Sequence, residues 1–247
     1  MKRIILGFLI FIAFSSNVFA KNDNSRKVLK KIGYTDSEIK NLSQNEIEQY
    51  SNVDLNSIKS TIKYYKTSYS GIDNEITKIE YYNTSIVQPL TTSEDNYVKI
   101  IISVNAQNGK YYPRMHVIWK NTPGKKSSDY IGLVWKGNNY SNVTVSTTDS
   151  TFLTYMDSSV RELPEYYTKL AKFNINSGLV LSVVEILTIE TATNPYNLCG
   201  SYYHVDNVVD PATPYPNGIF PQTNGEFWWQ NGQSFTDSIF MVRQICL

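Results

Sequence analysis

Residues 97–119 read YVKIIISVNAQNGKYYPRMHVIW, and this stretch decides the fold. A β-branched run ends at Asn108-Gly109, the dipeptide most typical of a two-residue β-hairpin turn. A second strand-like run follows the turn and ends at Trp119. We therefore expect two long antiparallel strands joined by a tight turn.

The same two-residue period extends outward from this hairpin across residues 58–247. Turns rich in Gly, Asn and Pro separate the apolar runs, and no long helical pattern lies between them. We predict further strands at residues 64–69, 76–82, 129–136, 141–148, 166–175, 178–191, 201–205 and 235–245. About ten such strands indicate a mainly β fold, an antiparallel β-sandwich or open barrel. Residues 166–175 and 178–191 are expected to pair around the turn between them.

Residues 21–57 differ from this β-rich body because they carry helical signals. Thr35 and Glu38 have the spacing of a capping box, and Ser43 and Glu46 repeat it. The pattern predicts a small N-terminal head of two or three short helices. Helices this short do not persist alone in water, so they must pack together or dock on the body. Both glutamates are interpreted as caps rather than as catalytic acids.

The first 20 residues have the pattern of a secretory signal peptide. Lys2 and Arg3 form the basic region, residues 4–14 are apolar, and small residues lead to Ala20. This apolar stretch is shorter than the ~20 residues that a transmembrane helix needs. We predict cleavage after Ala20 and a secreted bacterial protein, at the cell surface or in the medium, with no transmembrane segment in its mature chain.

Export also bears on the two cysteines, Cys199 and Cys246. Outside the cell the environment is oxidising, and two cysteines allow one intramolecular pairing. We predict a Cys199–Cys246 disulfide that joins the last strand to the strand that enters Tyr202. The alternative is a reactive thiol, which would oxidise in an exported protein.

The composition excludes several classes of protein. The chain has 247 residues, with 23 basic against 22 acidic side chains, so its formal net charge is +1. Because no basic excess is present to neutralise phosphates, a dedicated nucleic-acid binder is excluded. Aromatic residues make up 13% of the chain, which excludes a disordered protein.

The inventory of reactive side chains offers no recognisable catalytic, cofactor or metal site. His116 and His204 are the two histidines, and neither lies in a spacing typical of zinc ligands. Both are expected to pack within strands or to make a single backbone hydrogen bond. No phosphate-binding glycine loop occurs. The acids that qualify for glycoside hydrolysis do so by residue type alone, and they are Asp129, Glu162, Glu165, Glu185 and Glu190.

Residues 206–226 form one long Pro-rich stretch that we interpret as a loop. Phe227, Trp228 and Trp229 follow it directly. Such a group of rings offers a platform for sugar rings or a membrane interface. The alternative is that one ring packs the sandwich and the other covers an edge, because adjacent strand residues point to opposite faces.

Three segments carry a resemblance to known proteins. They are residues 115–123, which end a strand at Trp119 and continue to Pro123, residues 128–133 with their Asp-x-Ile-Gly pattern, and Tyr203-His204. These resemble secreted β-rich proteins of Gram-positive bacteria that have no assigned activity. Residues 29–39 likewise resemble the short helical preface of secreted clostridial and bacillar proteins. The resemblance implies export and a β-rich fold, and it implies no catalytic residues.

Our first hypothesis is therefore an exported, non-enzymatic β-sandwich module that binds a glycan, the cell wall or a protein. The second is a carbohydrate-binding or carbohydrate-active protein that uses Trp228 or Trp229. The third is a β-pore-forming toxin, because residues 141–154 alternate in the manner of a membrane hairpin. A lipid-spanning strand needs ~9–11 residues with one apolar face, and this segment offers Val143, Val145 and Phe152.

Overall fold

The computed structural model describes most of the mature chain in eleven stretches. They are residues 23–69, 76–82, 97–121, 127–137, 140–148, 153–155, 166–175, 181–205, 219–221, 227–229 and 239–247. The predicted signal peptide at residues 1–20 lies outside the described residues. No helix within the described stretches is long and apolar enough to cross a membrane.

The head consists of short helices that begin and end as the capping signals predict. Helix α1 is described from residue 23 to 32, and α2 (Asp36–Asn41), α3 (Gln44–Glu48) and a 3-10 turn (Leu55–Ser57) follow. Both predicted capping boxes are present, because the N-cap hydroxyl accepts from the N3 amide and the N3 glutamate accepts from the N-cap amide. Both boxes are therefore confirmed as structural devices.

The body consists of strands in antiparallel pairs, and its class is confirmed. The described strands are β1 (Lys59–Tyr69), β2 (Ile76–Tyr82), β3 (Tyr97–Gln107), β4 (Lys110–Asn121), β5 (Ser127–Lys136), β6 (Tyr140–Thr147), β7 (Leu153–Tyr155), β8 (Tyr166–Ile175), β9 (Leu181–Thr191), β10 (Tyr196–Val205), β11 (Ile219–Pro221), β12 (Phe227–Trp229) and β13 (Ile239–Cys246). Six form a sheet in the order β2-β1-β3-β4-β9-β6, and five form a second in the order β13-β10-β5-β8-β7. The arrangement is a two-sheet sandwich rather than a closed barrel.

The predicted hairpin stands at the centre of the first sheet. Strands β3 and β4 pair from Val98 opposite Trp119 to Gln107 opposite Lys110. Asn108 and Gly109 have φ angles of 52° and 75°. Two consecutive residues with positive φ fit a primed turn, whose twist matches that of the strands it joins.

The sandwich core lies between the two sheets and is built from alternate residues of the long strands. Its members include Val98, Ile100, Ile102, Met115, Val117, Trp119, Ile131, Leu133, Trp135, Leu187, Ile189 and Tyr202. Because the side-chain period of a strand is two, the intervening residues of β3, β4 and β9 must face away from this core. This second face of the six-stranded sheet is also covered.

One predicted pairing is wrong. Residues of β8 and β9 were expected to form a hairpin, yet β8 pairs with β5 and β7 in the second sheet, whereas β9 pairs with β4 and β6 in the first. The chain crosses between the sheets after β8. The physical reason is that each strand finds a long apolar partner in a different sheet. Strand β5 offers one to β8, and β4 offers one to β9. The Pro-rich stretch, predicted as a loop, contains strand β11.

The predicted disulfide is present. Cys199 and Cys246 lie directly opposite each other on β10 and β13, and their Cα atoms are 4.1 Å apart. The bridge closes a sequence separation of 47 residues. It fixes the last strand of the chain to the second sheet.

Candidate functional site

The head lies on the outer face of the six-stranded sheet. Its apolar side chains form a second core with residues that point away from the sandwich, namely Ile101, Ile118, Val184 and Ile186. The contributing residues of the head are Val28, Leu29, Ile32, Tyr34, Ile39, Leu42, Ile47, Tyr50 and Val53. The head is thus a lid over strands β3, β4 and β9 rather than an appendage.

Polar side chains lie under this lid beside the apolar ones. Lys99 of β3 is fully buried and forms an ion pair with Glu38 of the head, and its ammonium also donates to the Gly33 carbonyl at 2.9 Å. Burial lowers the pKa of Lys99, while the carboxylate of Glu38 opposes that shift. Glu38 therefore acts both as a helix cap and as the partner of a sheet lysine.

His116 occupies the centre of the same interface. Its Nδ1 lies 2.8 Å from the hydroxyl of Tyr34, and its Nε2 lies 3.2 Å from the hydroxyl of Ser103. The expected single backbone bond is thus replaced by two side-chain bonds. The ring holds the head against the sheet, and it is fully buried.

The burial of His116 makes the stability of the head depend on pH. Burial lowers the pKa of His116 well below its usual 6.5, and the charges of Arg114 and Lys99 add to the effect. The unfolded chain therefore binds a proton below pH ~6.5 that the folded chain does not. We expect the free energy of unfolding to fall as the pH drops from about 6.5 to 5, by up to ~1.4 kcal/mol per pH unit. Denaturant titrations across this range should show a shallower slope for His116→Gln, and equal slopes would contradict the assignment.

Beyond the edge of the lid, the outer face of the sheet carries a polar row. Arg114 of β4 pairs with Ser103 of β3 on one side and with Thr188 of β9 on the other. Thr188 pairs in turn with Thr144 of the edge strand β6. The strand register therefore places these four side chains side by side on one face.

Arg114, Thr188 and Thr144 of this row form the floor of an open cleft of about 340 Å³. Six residues of β4, β6 and β9 line it, which are Tyr112, Arg114, Asn142, Thr144, Thr188 and Glu190. Gln49 of the head and Gln107 of β3 complete its rim. The cleft lies where the head, the β3–β4 hairpin and the edge strand β6 meet.

Arg114 is the buried cation of this cleft, and its side chain is 2% exposed. Within the described residues its guanidinium donates one hydrogen bond, from Nη1 to the Oδ1 of Asn105. Its Cζ lies 4.8 Å from the ring centre of Tyr50 and 5.2 Å from that of Tyr112. Among the described residues no carboxylate pairs with it. Burial lowers the pKa of Arg114, yet a guanidinium keeps its charge in proteins.

Several buried polar atoms around Arg114 have no hydrogen-bond partner within the described residues. They are Arg114 Nε, Asn105 Nδ2 and Tyr50 Oη. Such an atom costs about 1–3 kcal/mol when it is left unsatisfied, so native proteins rarely retain several in one place. Because Arg114 also lines an open cleft, a molecule bound there is in position to complete its hydrogen bonding.

Glu190 forms the acidic wall of the cleft. Its carboxylate accepts from Lys110 at 2.5 Å and from the hydroxyl of Ser141 at 2.6 Å. The hydrogen bond from Lys110 is the main reason that the pKa of Glu190 lies below its usual value. The negative charge of this wall is therefore already compensated.

Three of the acids that qualified by residue type have described side chains, and Glu190 lies apart from the other two. Asp129 is fully buried between the sheets, where it accepts from Trp119 Nε1 at 3.0 Å and from the Tyr202 hydroxyl at 2.7 Å. Its other oxygen lies 2.5 Å from Nδ1 of His204. Glu185 is also buried, whereas alternation had allowed it to face solvent. Glu190 lies on the opposite face of the same sheet, in the cleft.

The remaining predicted site residues fall partly outside the described chain. Glu162 and Glu165 lie outside the described residues. Phe227, Trp228 and Trp229 form the short strand β12, which pairs with β11. Their side chains lie outside what the structure describes, so the platform stays a prediction. In the stretches that are described, no three His, Cys, Asp or Glu side chains come together as metal ligands.

Comparison with protein-family models, with curated proteins and with solved structures gave no match in any of the three cases.

The sequence reasoning did not single out Arg114. A signal was present, because Arg114 and His116 alternate with Met115 and Val117 in β4. A strand with one apolar face and one face of mixed polar and apolar residues indicates a second layer that covers it incompletely. This pattern indicates that an arginine at the boundary of that layer, such as Arg114, is a candidate binding residue.

Proposed function

We propose that this chain is an exported bacterial binding module without catalytic activity, and that the cleft around Arg114 is its binding site for a negatively charged group. One observation carries the proposal. A buried guanidinium lines an open cleft and, within the described residues, has no carboxylate partner. Burying an unpaired charge is costly, so such a group is commonly retained to meet an anion from outside.

The hydrogen bonding of Arg114 favours a role in ligand recognition over a purely structural role. Nη1 is engaged by Asn105, which leaves the edge formed by Nε and Nη2 without a hydrogen-bond acceptor in the described residues. That edge presents two parallel N–H groups, the geometry with which arginine holds a carboxylate or phosphate. The rings of Tyr50 and Tyr112 restrain the guanidinium, so little side-chain freedom is lost on binding.

The sequence argues for export, and the structure is compatible with it. The signal pattern at residues 1–20 and the resemblance to secreted Gram-positive proteins argue for secretion. The Cys199–Cys246 disulfide is compatible with it, because such bonds persist in oxidising compartments. We place the binding function at the cell surface or in the medium.

The test is a binding assay with the mature protein on a glycan array and on purified cell walls. We expect saturable, salt-sensitive binding for the wild type, and a loss of about tenfold or more for Arg114→Gln, because a charge-assisted bidentate contact is worth at least the ~1.4 kcal/mol of that factor. The matched control is Arg26→Gln, which removes the same charge from the exposed surface of α1. Equal binding by both variants would refute the cleft as the site.

A further inference from the structure

We infer that the ligand of the Arg114 cleft is a sugar that carries a single carboxylate, such as a uronic acid unit. The inference rests on the proposed function, since it names the chemistry of the group that the same cleft would hold. Three properties of the cleft carry it: its charge balance, the character of its neutral lining, and its size.

The charge balance favours an anion with one negative charge. Arg114 supplies one positive charge, and the negative charge of Glu190 is compensated by Lys110. A carboxylate would neutralise Arg114 and leave the cleft near zero net charge. A phosphate monoester carries about two negative charges at neutral pH, so one charge would remain uncompensated close to Glu190.

The neutral lining favours a ligand with many hydroxyl groups. Gln49, Gln107 and Asn142 offer amide groups that donate and accept, and Thr144 and Thr188 offer hydroxyls that do both. Sugar hydroxyls also donate and accept, so each can be matched by groups of this kind. An apolar ligand would leave these groups without partners, at a cost for each one.

The position of the charge relative to the neutral groups fits one ring. Arg114 and Thr188 are directly paired on neighbouring strands, and Thr144 lies one strand further along the same row. Adjacent strands are ~4.8 Å apart, so the row spans roughly the width of a pyranose ring with its substituents. The cleft volume of about 340 Å³ lies at the small end of the ~300–1,000 Å³ range of ligand pockets.

Tyr112 contributes a surface against which such a ring can lie. It is partly buried, it lines the cleft, and its ring lies against the guanidinium of Arg114. Its hydroxyl is 3.4 Å from Glu190, which holds the ring in place. An aromatic side chain beside a cation and several amides is a surface suited to a carboxylated sugar.

The inference is tested by NMR titration of the full mature protein with four matched probes. They are methyl galacturonoside, its methyl ester, neutral methyl galactoside, and galactose 6-phosphate. We expect methyl galacturonoside to bind about tenfold more tightly than its ester or the neutral sugar, and more tightly than the phosphate. The ester removes the charge but adds one methyl group, whereas the neutral galactoside lacks the carboxylate without that addition, so the two comparisons together isolate the contact with Arg114. Tighter binding of the phosphate, or equal binding of acid and ester, would overturn the inference.

Variants separate this inference from the proposed function. Arg114→Gln should abolish the difference between acid and ester, whereas Thr144→Val should weaken the acid and the ester alike, because it removes a hydroxyl partner of the sugar and not the contact with the charge. Thr144 lies on the exposed edge strand, so its replacement leaves the fold intact, which a melting curve checks. If galactose 6-phosphate binds more tightly than the sugar acid and its binding depends on Arg114, the inference of a sugar acid is refuted, while the cleft remains the binding site. If no probe shifts the NMR signals of the cleft residues and glycan binding does not depend on Arg114, both the inference and the proposed function are refuted.

Discussion

Asp129→Ala should lower the free energy of unfolding by about 3–5 kcal/mol, because it removes the shared acceptor of a fully buried hydrogen-bonded cluster. The carboxylate accepts hydrogen bonds from Trp119 of one sheet and Tyr202 of the other, and it contacts His204. Alanine would leave these groups buried without their acceptor. The loss is a large fraction of the ~5–15 kcal/mol that stabilises a typical domain. Denaturant unfolding followed by tryptophan fluorescence measures it.

The matched control is Asp36→Ala. Asp36 forms an exposed ion pair with Lys30 on the surface of the head, and such pairs contribute little to stability. Its replacement should leave the unfolding transition unchanged within error. The free energy of unfolding of Asp129→Asn should lie between those of the two alanine variants. An amide keeps one acceptor oxygen but turns a donor toward the other groups. If Asp129→Ala unfolds at the same denaturant concentration as Asp36→Ala, the carboxylate does not join the sheets as we argue.

Removing the disulfide is expected to have the second large effect. With a sequence separation of 47 residues, the chain-entropy relation gives about 4 kcal/mol of stabilisation. For a chain of this size that corresponds to a melting temperature roughly 8–16 °C lower in a Cys199→Ala, Cys246→Ala double variant. Differential scanning calorimetry on wild type and variant, each with and without reductant, provides the measurement.

The four samples constrain the interpretation. Reductant should lower the melting temperature of the wild type to near that of the double variant, and it should have no effect on the variant itself. A wild type that is insensitive to reductant would show that the bridge does not stabilise the fold. A double variant that melts at the same temperature as the oxidised wild type would also show that the bridge does not stabilise the fold.

Local signals allowed much of the fold to be predicted. The Asn108-Gly109 turn and the two capping boxes each depend on residues that are close in sequence, so the physical cause lies within a short window. The disulfide followed from there being two cysteines and from the predicted export. These features are confirmed because nothing elsewhere in the chain competes with them.

Features that depend on distant residues could not be predicted in the same way. Strands β8 and β9 are adjacent in sequence, yet each pairs with strands of a different sheet. The side of the sheet on which Glu185 lies depends on which strands surround it, and alternation alone leaves both sides open. Period and turn signals contain no information about sheet order, so these outcomes require the full set of strand partners.

The cleft is the clearest case of this limit. Arg114, Thr188 and Thr144 come from three strands and are neighbours only because β4, β9 and β6 are consecutive in one sheet. His204 and Asp129 likewise meet through the pairing of β10 with β5. Sequence reasoning named Asp129 and His204 but not Arg114, Thr188 or Thr144, and it had no means to bring either group together.

The order in which the chain leaves the ribosome opposes the order in which its layers can assemble. The head emerges first, but its docking surface includes Val184 and Ile186, which emerge much later. Until β9 has emerged, Val28 and Leu29 of the head have no complete apolar surface to cover, and Glu38 acquires Lys99 only after β3 has formed. Contacts over such separations close slowly. The N-terminal segment is therefore synthesised first but acquires its native contacts among the last, which keeps the newly synthesised chain open to proteases and to assisting chaperones until the sheets are complete.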